Sequence, residues 1–177
     1  GRELWISDGT ETGTTPVKDL APDTADSFPN RIVVSGGRAF FEATGPGGSA
    51  LYVTDGTTDG TVELIQNNSI GESVPFGTGG LLSSLDTTAA GNELWSSDGT
   101  PFGTHIFTDL VSGPDASNPE NLTVAGTRVF YTAETPEAGR ELWVTDSTSG
   151  EATAVADLTS GTDGTLFGEF SPLGSKL

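Results

Sequence analysis

Four copies of one short motif recur along the chain, and their spacing constrains the fold more than any other feature. Each copy centres on an aromatic residue, and these anchors are Trp5, Tyr52, Trp95 and Trp143. Successive anchors lie 47, 43 and 48 residues apart. A period of about 40 to 50 residues is the length of a four-stranded propeller blade. The chain is therefore predicted to be a tandem array of similar β units.

Turn signals divide each unit into four short strands. In the last full unit the predicted strands are 121–125, 128–133, 141–145 and 152–158. In the first full unit they are 31–34, 39–43, 51–54 and 62–66, and in the middle unit 74–77, 81–85, 94–97 and 104–109. The chain has 25 glycines and no sustained 3.6-residue apolar period, so a helical repeat of similar length is excluded.

The two ends of the chain are predicted to share a blade. Residues 1–20 supply a third and a fourth strand, whereas 167–173 and the following Gly174-Ser175-Lys176-Leu177 align with 122–129. The predicted fold is all-β, a small β-propeller of about four four-stranded antiparallel blades in one domain. Its blades are 27–66, 73–110, 118–158 and a composite of 1–20 with 166–177.

Because the composite blade stops where its second strand should begin, two alternatives stay open. The blade could be one strand short. The chain could instead be a segment of a longer array, in which neighbouring copies donate the missing strand.

An Asp-Gly-Thr turn follows the aromatic anchor in three of the copies, and in the fourth Ser147 replaces the glycine. The aspartates are expected to accept hydrogen bonds from amides two residues on, and the glycines to supply the positive φ of a tight turn. The aromatic anchors are expected to be buried between adjacent blades. The residues assigned this structural role are Trp5, Asp8, Gly9, Tyr52, Asp55, Gly56, Trp95, Asp98, Gly99, Trp143 and Asp146.

The four units resemble the ELWxxDGT repeat, which occurs in tandem in large bacterial secreted and surface proteins. The motif is most complete at 3–14, 93–104 and 141–146, whereas Ala50 and Tyr52 replace Glu and Trp in the second copy. The resemblance covers nearly the whole chain. It implies a propeller-like repeat in an extracellular or cell-surface bacterial protein with no established chemistry.

Composition excludes several classes of partner. The chain has 25 acidic and 7 basic residues and a net charge of −18, so it lacks the excess of Lys and Arg on which nucleic-acid binding depends. Anionic membranes are disfavoured for the same reason, and no apolar run reaches the roughly 20 residues needed for membrane insertion. Cysteine is absent, which excludes disulfides and thiolate metal sites. The predicted partners are other copies of the chain or neighbouring repeats, and a glycan or protein ligand.

Acidic loops between the units suggest calcium as a possible cofactor. The candidate ligands are Asp23, Asp26, Asp115 and Asp163, which lie in loops rich in Gly, Ser and Asn. Calcium binds such flexible, oxygen-rich segments. No EF-hand loop or calcium-binding nonapeptide occurs, so plain acidic loops are the alternative interpretation.

The sequence favours a non-catalytic module that mediates adhesion or assembly. The single histidine, His105, lies on a predicted outer strand without a recognisable nucleophile or orienting acid beside it. The alternative is a glycan-active propeller enzyme, a glycoside hydrolase or a lyase-like protein that uses paired carboxylates. Acids are numerous, and their separation cannot be read from the sequence.

Overall fold

The computed structural model describes residues 1–146, 150–156, 158–162 and 164–177, and the regular structure in these residues is β-strand. In chain order the strands are β1 Trp5–Ile6, β2 Thr15–Pro16, β3 Asn30–Ser35, β4 Arg38–Gly45, β5 Gly48–Thr54, β6 Val62–Gln66, β7 Ser69–Phe76, β8 Gly80–Thr87, β9 Gly91–Ser97, β10 His105–Thr108, β11 Glu120–Ala125, β12 Arg128–Thr135, β13 Gly139–Asp146 and β14 Ala152–Ala156.

The strands pair in chain order into antiparallel sheets. β1 and β2 form a two-stranded N-terminal sheet. β3–β6 form sheet 1, β7–β10 form sheet 2 and β11–β14 form sheet 3, each with four strands. The prediction of an all-β fold built from blade-like antiparallel sheets is confirmed, whereas a closed ring is not shown.

The second strand of each complete sheet is buried on both faces, which explains why it carries adjacent apolar residues. Phe40 and Phe41 of β4 point to opposite faces because side chains alternate along a strand, and each is only 1% exposed. Phe40 belongs to a cluster between sheets 1 and 2 that also contains Leu85 and Trp95. Phe41 belongs to a cluster that joins sheet 1 to Leu4 and Leu20.

Sheets 2 and 3 pack in the same way. Leu82 and Leu94 of sheet 2 meet Leu122 and Tyr131 of sheet 3, and Trp143 packs at the edge of this cluster. The sheets therefore stack in chain order through apolar faces, as blades do.

The aromatic anchors differ in burial. Tyr52 is 3% exposed and Trp95 is 9% exposed, and Trp143 is partly buried. Trp5 is 58% exposed, so the prediction that it is buried between blades is wrong for this copy. The N-terminal sheet has two strands, and the anchor of so narrow a sheet lacks the neighbouring strand that shields its counterparts.

The predicted first strand at 167–173 is also wrong, because no residue there belongs to a strand. Phe167 and Phe170 instead pack edge to face on each other, with ring centroids 5.9 Å apart. A strand needs a partner for its backbone groups, and no described strand pairs with 167–173. The following turn does form, with a single bridge between Leu173 and Lys176.

The connection between sheets 1 and 2 is shorter than predicted. The predicted blades 27–66 and 73–110 leave 67–72 as the connection, but β6 ends at Gln66 and β7 begins at Ser69, so Glu72 lies within a strand. The other connections are long: Thr108 ends β10 and Glu120 begins β11.

Candidate functional site

The glutamate of the Glu-Leu-Trp motif is a buried side chain that holds the connection to the next sheet. In the third copy Glu93 has no exposed surface. Its Oε2 accepts hydrogen bonds from the Leu110 amide at 3.2 Å and from the Ser117 hydroxyl at 2.6 Å, and its Oε1 accepts one from the Ser117 amide at 2.8 Å. One carboxylate therefore fixes both ends of a long loop.

The same arrangement recurs at the same sequence offsets. Oε2 of Glu141 accepts a hydrogen bond from the Leu158 amide at 3.2 Å, and its Oε1 accepts one from the Thr165 hydroxyl at 3.1 Å. In the first copy, Glu3 accepts hydrogen bonds from the Leu20 amide and the Ser27 hydroxyl. The partners lie 17 and 24 residues after the glutamate in all three cases. We call these three glutamates the carboxylate clamps.

The second copy has no clamp and does not need one. Ala50 takes the place of the glutamate, and the connection that follows contains only Asn67 and Asn68. Their amides donate to the carbonyl oxygens of Ser49 and Asp86, at 3.1 and 2.7 Å. A short connection is held by its own backbone, whereas a long one needs a side chain to satisfy its amides.

The Asp-Gly-Thr turns form a second repeated structure. In the second copy Oδ1 of Asp55 accepts hydrogen bonds from the amide and the hydroxyl of Thr57, at 2.9 and 2.7 Å. The Thr57 hydroxyl in turn accepts a hydrogen bond from the Gly60 amide at 2.9 Å. A Cβ on Gly60 would collide with the Asp55 carboxylate, so a larger residue there would displace that side chain.

The turns of the first and third copies have the same hydrogen bonds. Asp8 and Asp98 each accept from the threonine two residues on. Gly9, Gly56 and Gly99 adopt φ of 91°, 93° and 84°, which favours glycine. The fourth turn follows Asp146 at 147–149, which lies outside the described residues.

Local hydrogen bonds determine the ionisation of the turn aspartates. The threonine hydroxyl, and then the threonine amide, lower the pKa of Asp8, Asp55 and Asp98, because both stabilise the charged carboxylate. Glu93 differs, because burial raises its pKa and outweighs the hydrogen bonds from Ser117 and Leu110 that favour the charged form. A buried carboxyl with a raised pKa can serve as a general acid, but the oxygens of Glu93 accept three bonds from one loop.

His105 lies on the exposed outer strand β10. Its Nε2 is 3.4 Å from the Ser96 hydroxyl, at the limit of a hydrogen bond. His105 is exposed, Ser96 is partly buried, and both line a cleft of about 260 Å³. The acid in this lining, Asp98, accepts hydrogen bonds from Thr100 of its own turn.

The candidate calcium ligands lie in separate connections. Asp23 and Asp26 lie between β2 and β3, and Asp115 lies between β10 and β11, while Asp163 is outside the described residues. Asp26 already accepts a hydrogen bond from the Arg2 amide. Within the described ranges, no group of three His, Cys, Asp or Glu residues is arranged to hold a metal ion. Calcium binding therefore stays a prediction.

A cleft of about 660 Å³ lies at the loop end of sheet 3. Arg140 and Asp115 line it. The Arg140 guanidinium pairs with Glu134 at 2.9 Å and Glu120 at 3.2 Å, and it donates to the Asn118 carbonyl at 3.1 Å. This arginine therefore stabilises neighbouring strands, and its charge is already balanced by two carboxylates.

A second cleft of about 350 Å³ lies between the N-terminal sheet and sheet 1. We call it the N-terminal groove. Its lining is mainly apolar and includes Leu4, Trp5, Ile32 and Val34. An exposed apolar face of this kind is typical of an interaction surface.

Comparison with known proteins gives no family. No protein-family model and no curated protein matches the sequence. Among solved structures, a mutant of puromycin hydrolase complexed with PGG matches with a TM-score of 0.40 and 16% sequence identity. The match covers 81% of this chain and 30% of that one. In the described ranges, no helix is long and apolar enough to cross a membrane.

The carboxylate clamps were not predicted, although the sequence contains a signal for them. Glutamate precedes Leu-Trp in three copies, with leucine 17 and serine or threonine 24 residues later. In the copy with Ala50, those two positions are Asn67 and Val74. The glutamate and both of its partners are therefore replaced together.

Proposed function

We propose that the chain is a non-catalytic binding and structural module of a larger secreted or cell-surface bacterial repeat protein, in which it mediates adhesion or assembly. The observation that carries this proposal is the use made of the recurring acids. The carboxylate clamps and the turn aspartates accept hydrogen bonds from their own connections and turns. Acids that serve the fold in this way are not poised for chemistry on a substrate.

The proposal includes the propeller arrangement predicted from the sequence. Sheets 1, 2 and 3 are blades, and residues 1–20 and 166–177 belong to a composite fourth blade. The apolar stacking of successive sheets supports this arrangement. The partners are other copies of the chain or neighbouring repeats, and a glycan or protein ligand. The net charge of −18 suits a cation-rich extracellular medium, where counterions screen self-repulsion.

The alternative function is a glycan-active enzyme that uses paired carboxylates. One observation favours it, because burial raises the pKa of Glu93. A retaining or inverting mechanism needs a second carboxylate about 5 to 10 Å away across a substrate cleft. The three hydrogen bonds to Glu93 make its structural role the better account.

The test is a polysaccharide panel assayed both for binding and for cleavage. We expect binding of at least one glycan or of immobilised chain, with no release of reducing ends or unsaturated products. Cleavage that is abolished by changing one pair of acids, and by no other pair, would instead establish the enzyme. A thermal melt with and without chelator tests calcium separately, since a ligand that binds only the folded state raises its melting temperature.

A further inference from the structure

Equivalent apolar residues on the first strands of sheets 1 and 3 differ in burial: they are exposed on sheet 1 and covered on sheet 3. Leu122 on β11 and Ile32 on β3 occupy the same position, because each lies three residues before the residue that pairs across the first turn. Leu122 is 4% exposed, whereas Ile32 is 51% exposed. Val34 is 66% exposed, whereas its counterpart Val124 is partly buried. The face of sheet 1 towards the N-terminal sheet is therefore open where that of sheet 3 is covered.

The residues that cover this face of sheet 3 show which strands are missing over the open face of sheet 1. There, Val74 and Phe76 of β7 and Leu82 of β8 pack against the cluster that contains Leu122. The N-terminal sheet supplies Leu4, the counterpart of Leu94, but its two strands correspond only to β9 and β10. The N-terminal groove is thus the space that a first and a second strand would fill.

A basic residue anchors the first hairpin of sheet 1 to sheet 2, and it shows what a hairpin in the N-terminal groove would need. At the start of β4, Nη2 of Arg38 donates to the Gly79 carbonyl at 2.8 Å and to the Asp98 carbonyl at 2.7 Å, both in sheet 2. The equivalent residues of sheet 1 are Gly37 and Asp55, and both line the N-terminal groove. A hairpin placed there would need Arg or Lys as the first residue of its second strand.

The opposite end of the molecule carries a turn of this kind. Leu173 bridges Lys176 as Ser35 pairs with Arg38, so Lys176 occupies the position of Arg38. Ser175 Cβ lies 3.3 Å from where a Cβ on Gly126 would be, and Gly36 meets Gly79 in the same way between sheets 1 and 2. The turn thus continues the stack beyond sheet 3, and Leu173 is left 79% exposed.

We propose that the N-terminal groove binds residues 166–177 of a second copy of this chain. Leu173 of that copy packs on Ile32 and Val34, and its Lys176 ammonium donates to the carbonyl oxygens of Gly37 and Asp55. The inference deepens the assembly role proposed above and rests on it. In this arrangement the composite blade is shared by two molecules, and it consists of residues 166–177 of one copy and the N-terminal sheet of another. A second copy is favoured because the chain's own turn lies against Gly126 and leaves both Trp5 and Leu173 exposed.

The contact is heterologous, since one end of a molecule meets the other end of the next. Such contacts build rings when the rotation closes and filaments when it does not. With a net charge of −18 per copy, association is opposed by repulsion and should strengthen as salt screens it.

Single-cysteine variants test this contact, because the natural chain contains no cysteine. Gly37 and Gly174 should face each other as Gly126 faces Ser175. One preparation carries Gly37→Cys and a second carries Gly174→Cys, and they are mixed under mild oxidation at about 0.15 M salt. The intrachain pair Gly126→Cys with Ser175→Cys is the positive control, because its Cβ spacing approaches that of a disulfide.

We expect a disulfide-linked heterodimer in the mixture, formed in clear excess over either homodimer. Lys176→Ala in the second preparation should reduce its rate of formation by about tenfold or more, and Lys176→Arg should restore it. Three results would overturn the proposal. These are homodimers as abundant as the heterodimer, no heterodimer while the control pair oxidises, and an intrachain bond as the sole product of the Gly37→Cys, Gly174→Cys double variant.

A second measurement avoids cysteine altogether. Sedimentation velocity of the natural chain should show concentration-dependent association that Ile32→Asp abolishes. Val155→Asp is the matched control, because Val155 is also exposed, at 46%, but lies on the outer strand β14. Association that survives Ile32→Asp would contradict the assigned surface, whereas glycan binding by the same variant would leave the wider proposed function intact.

Discussion

Two connections between successive sheets differ in length and in the groups that hold them. One joins sheets 1 and 2, and the other joins sheets 2 and 3. The first contains two residues and is held by backbone hydrogen bonds to Ser49 and Asp86. The second runs from Thr108 to Glu120 and is held by Glu93. A buried acid therefore accompanies the long connection and alanine the short one. The comparison shows that the glutamate of this motif is present where the following connection is long. Its role is to hold that connection rather than to stabilise the strand on which it lies.

The largest expected effect is from removing a clamp. Glu93→Ala leaves the amides of Leu110 and Ser117 and the Ser117 hydroxyl without an acceptor in a buried site, and it should cost about 3 kcal/mol or more of unfolding free energy. Chemical denaturation measures it. Glu11→Ala, at an exposed loop acid, is the control and should change stability by less than about 0.5 kcal/mol. Equal effects of the two substitutions on stability would contradict the role of Glu93 in holding the long connection.

The next effect contrasts the covered and open faces of equivalent sheets. Leu122→Ala opens a cavity between sheets 2 and 3 and should cost about 3 kcal/mol, within the range found for buried leucines. Ile32→Ala removes a side chain that is half exposed, and in dilute monomer it should cost less than about 1 kcal/mol. Equilibrium unfolding at low protein concentration distinguishes them. Similar costs would show that the face of sheet 1 is covered in the monomer.

A smaller effect is expected in the Asp-Gly-Thr turn. A methyl group at Gly60 collides with the Asp55 carboxylate and displaces it from Thr57, so Gly60→Ala should cost about 1 to 2 kcal/mol. Gly168→Ala is the control, because a Cβ there meets nothing within 4 Å and the backbone φ is not positive. Thermal melts of both variants give the comparison. A neutral Gly60→Ala would mean that the turn tolerates a displaced carboxylate.

The smallest effect is on the pH dependence of stability, where a turn aspartate and a clamp have opposite signs. The pKa of Asp55 is lowered in the folded state, so its stabilisation is present above the usual value of about 3.9 and is lost as pH falls through the folded pKa. The pKa of Glu93 is raised, so its contribution is largest below the usual value of about 4.3 and is lost as pH rises through the folded pKa.

Melting temperatures from about pH 7 to pH 3 test these signs. As pH falls, the natural chain should melt at an increasingly higher temperature than Glu93→Gln. The amount by which its melting temperature exceeds that of Asp55→Asn should instead shrink at the acid end. Parallel curves for both variants would contradict the assigned environments.

Much of the fold could be predicted from the sequence because its determinants are local. Strand position follows from alternation and from the glycines of the turns, so β6 was predicted at its observed bounds, Val62–Gln66. Errors arose where a residue depends on a distant partner. Trp5 has the same local motif as Trp95, but its burial depends on strands that the N-terminal sheet does not contain.

The candidate sites were less predictable for the same reason. The hydrogen bonds of Asp55 reach two residues along the chain, whereas those of Glu93 reach 17 and 24 residues. Short-range pairing is visible in a motif, and long-range pairing becomes visible only when copies with and without Glu93-like residues are compared. The acids proposed for calcium have no such internal comparison, since Asp23, Asp26 and Asp115 lie in loops that differ from one another.

The Asp-Gly-Thr turns also bear on the order in which the chain folds. Their hydrogen bonds close within a few residues, and Thr61 Oγ1 reaches both the Thr57 carbonyl and the Thr54 hydroxyl. Closing so small a loop costs little chain entropy, and local contacts form fastest. We therefore expect the hairpins β5–β6 and β9–β10 to nucleate their sheets before any sheet meets another. The clamps, which need a finished loop, would then form last and fix each long connection in place.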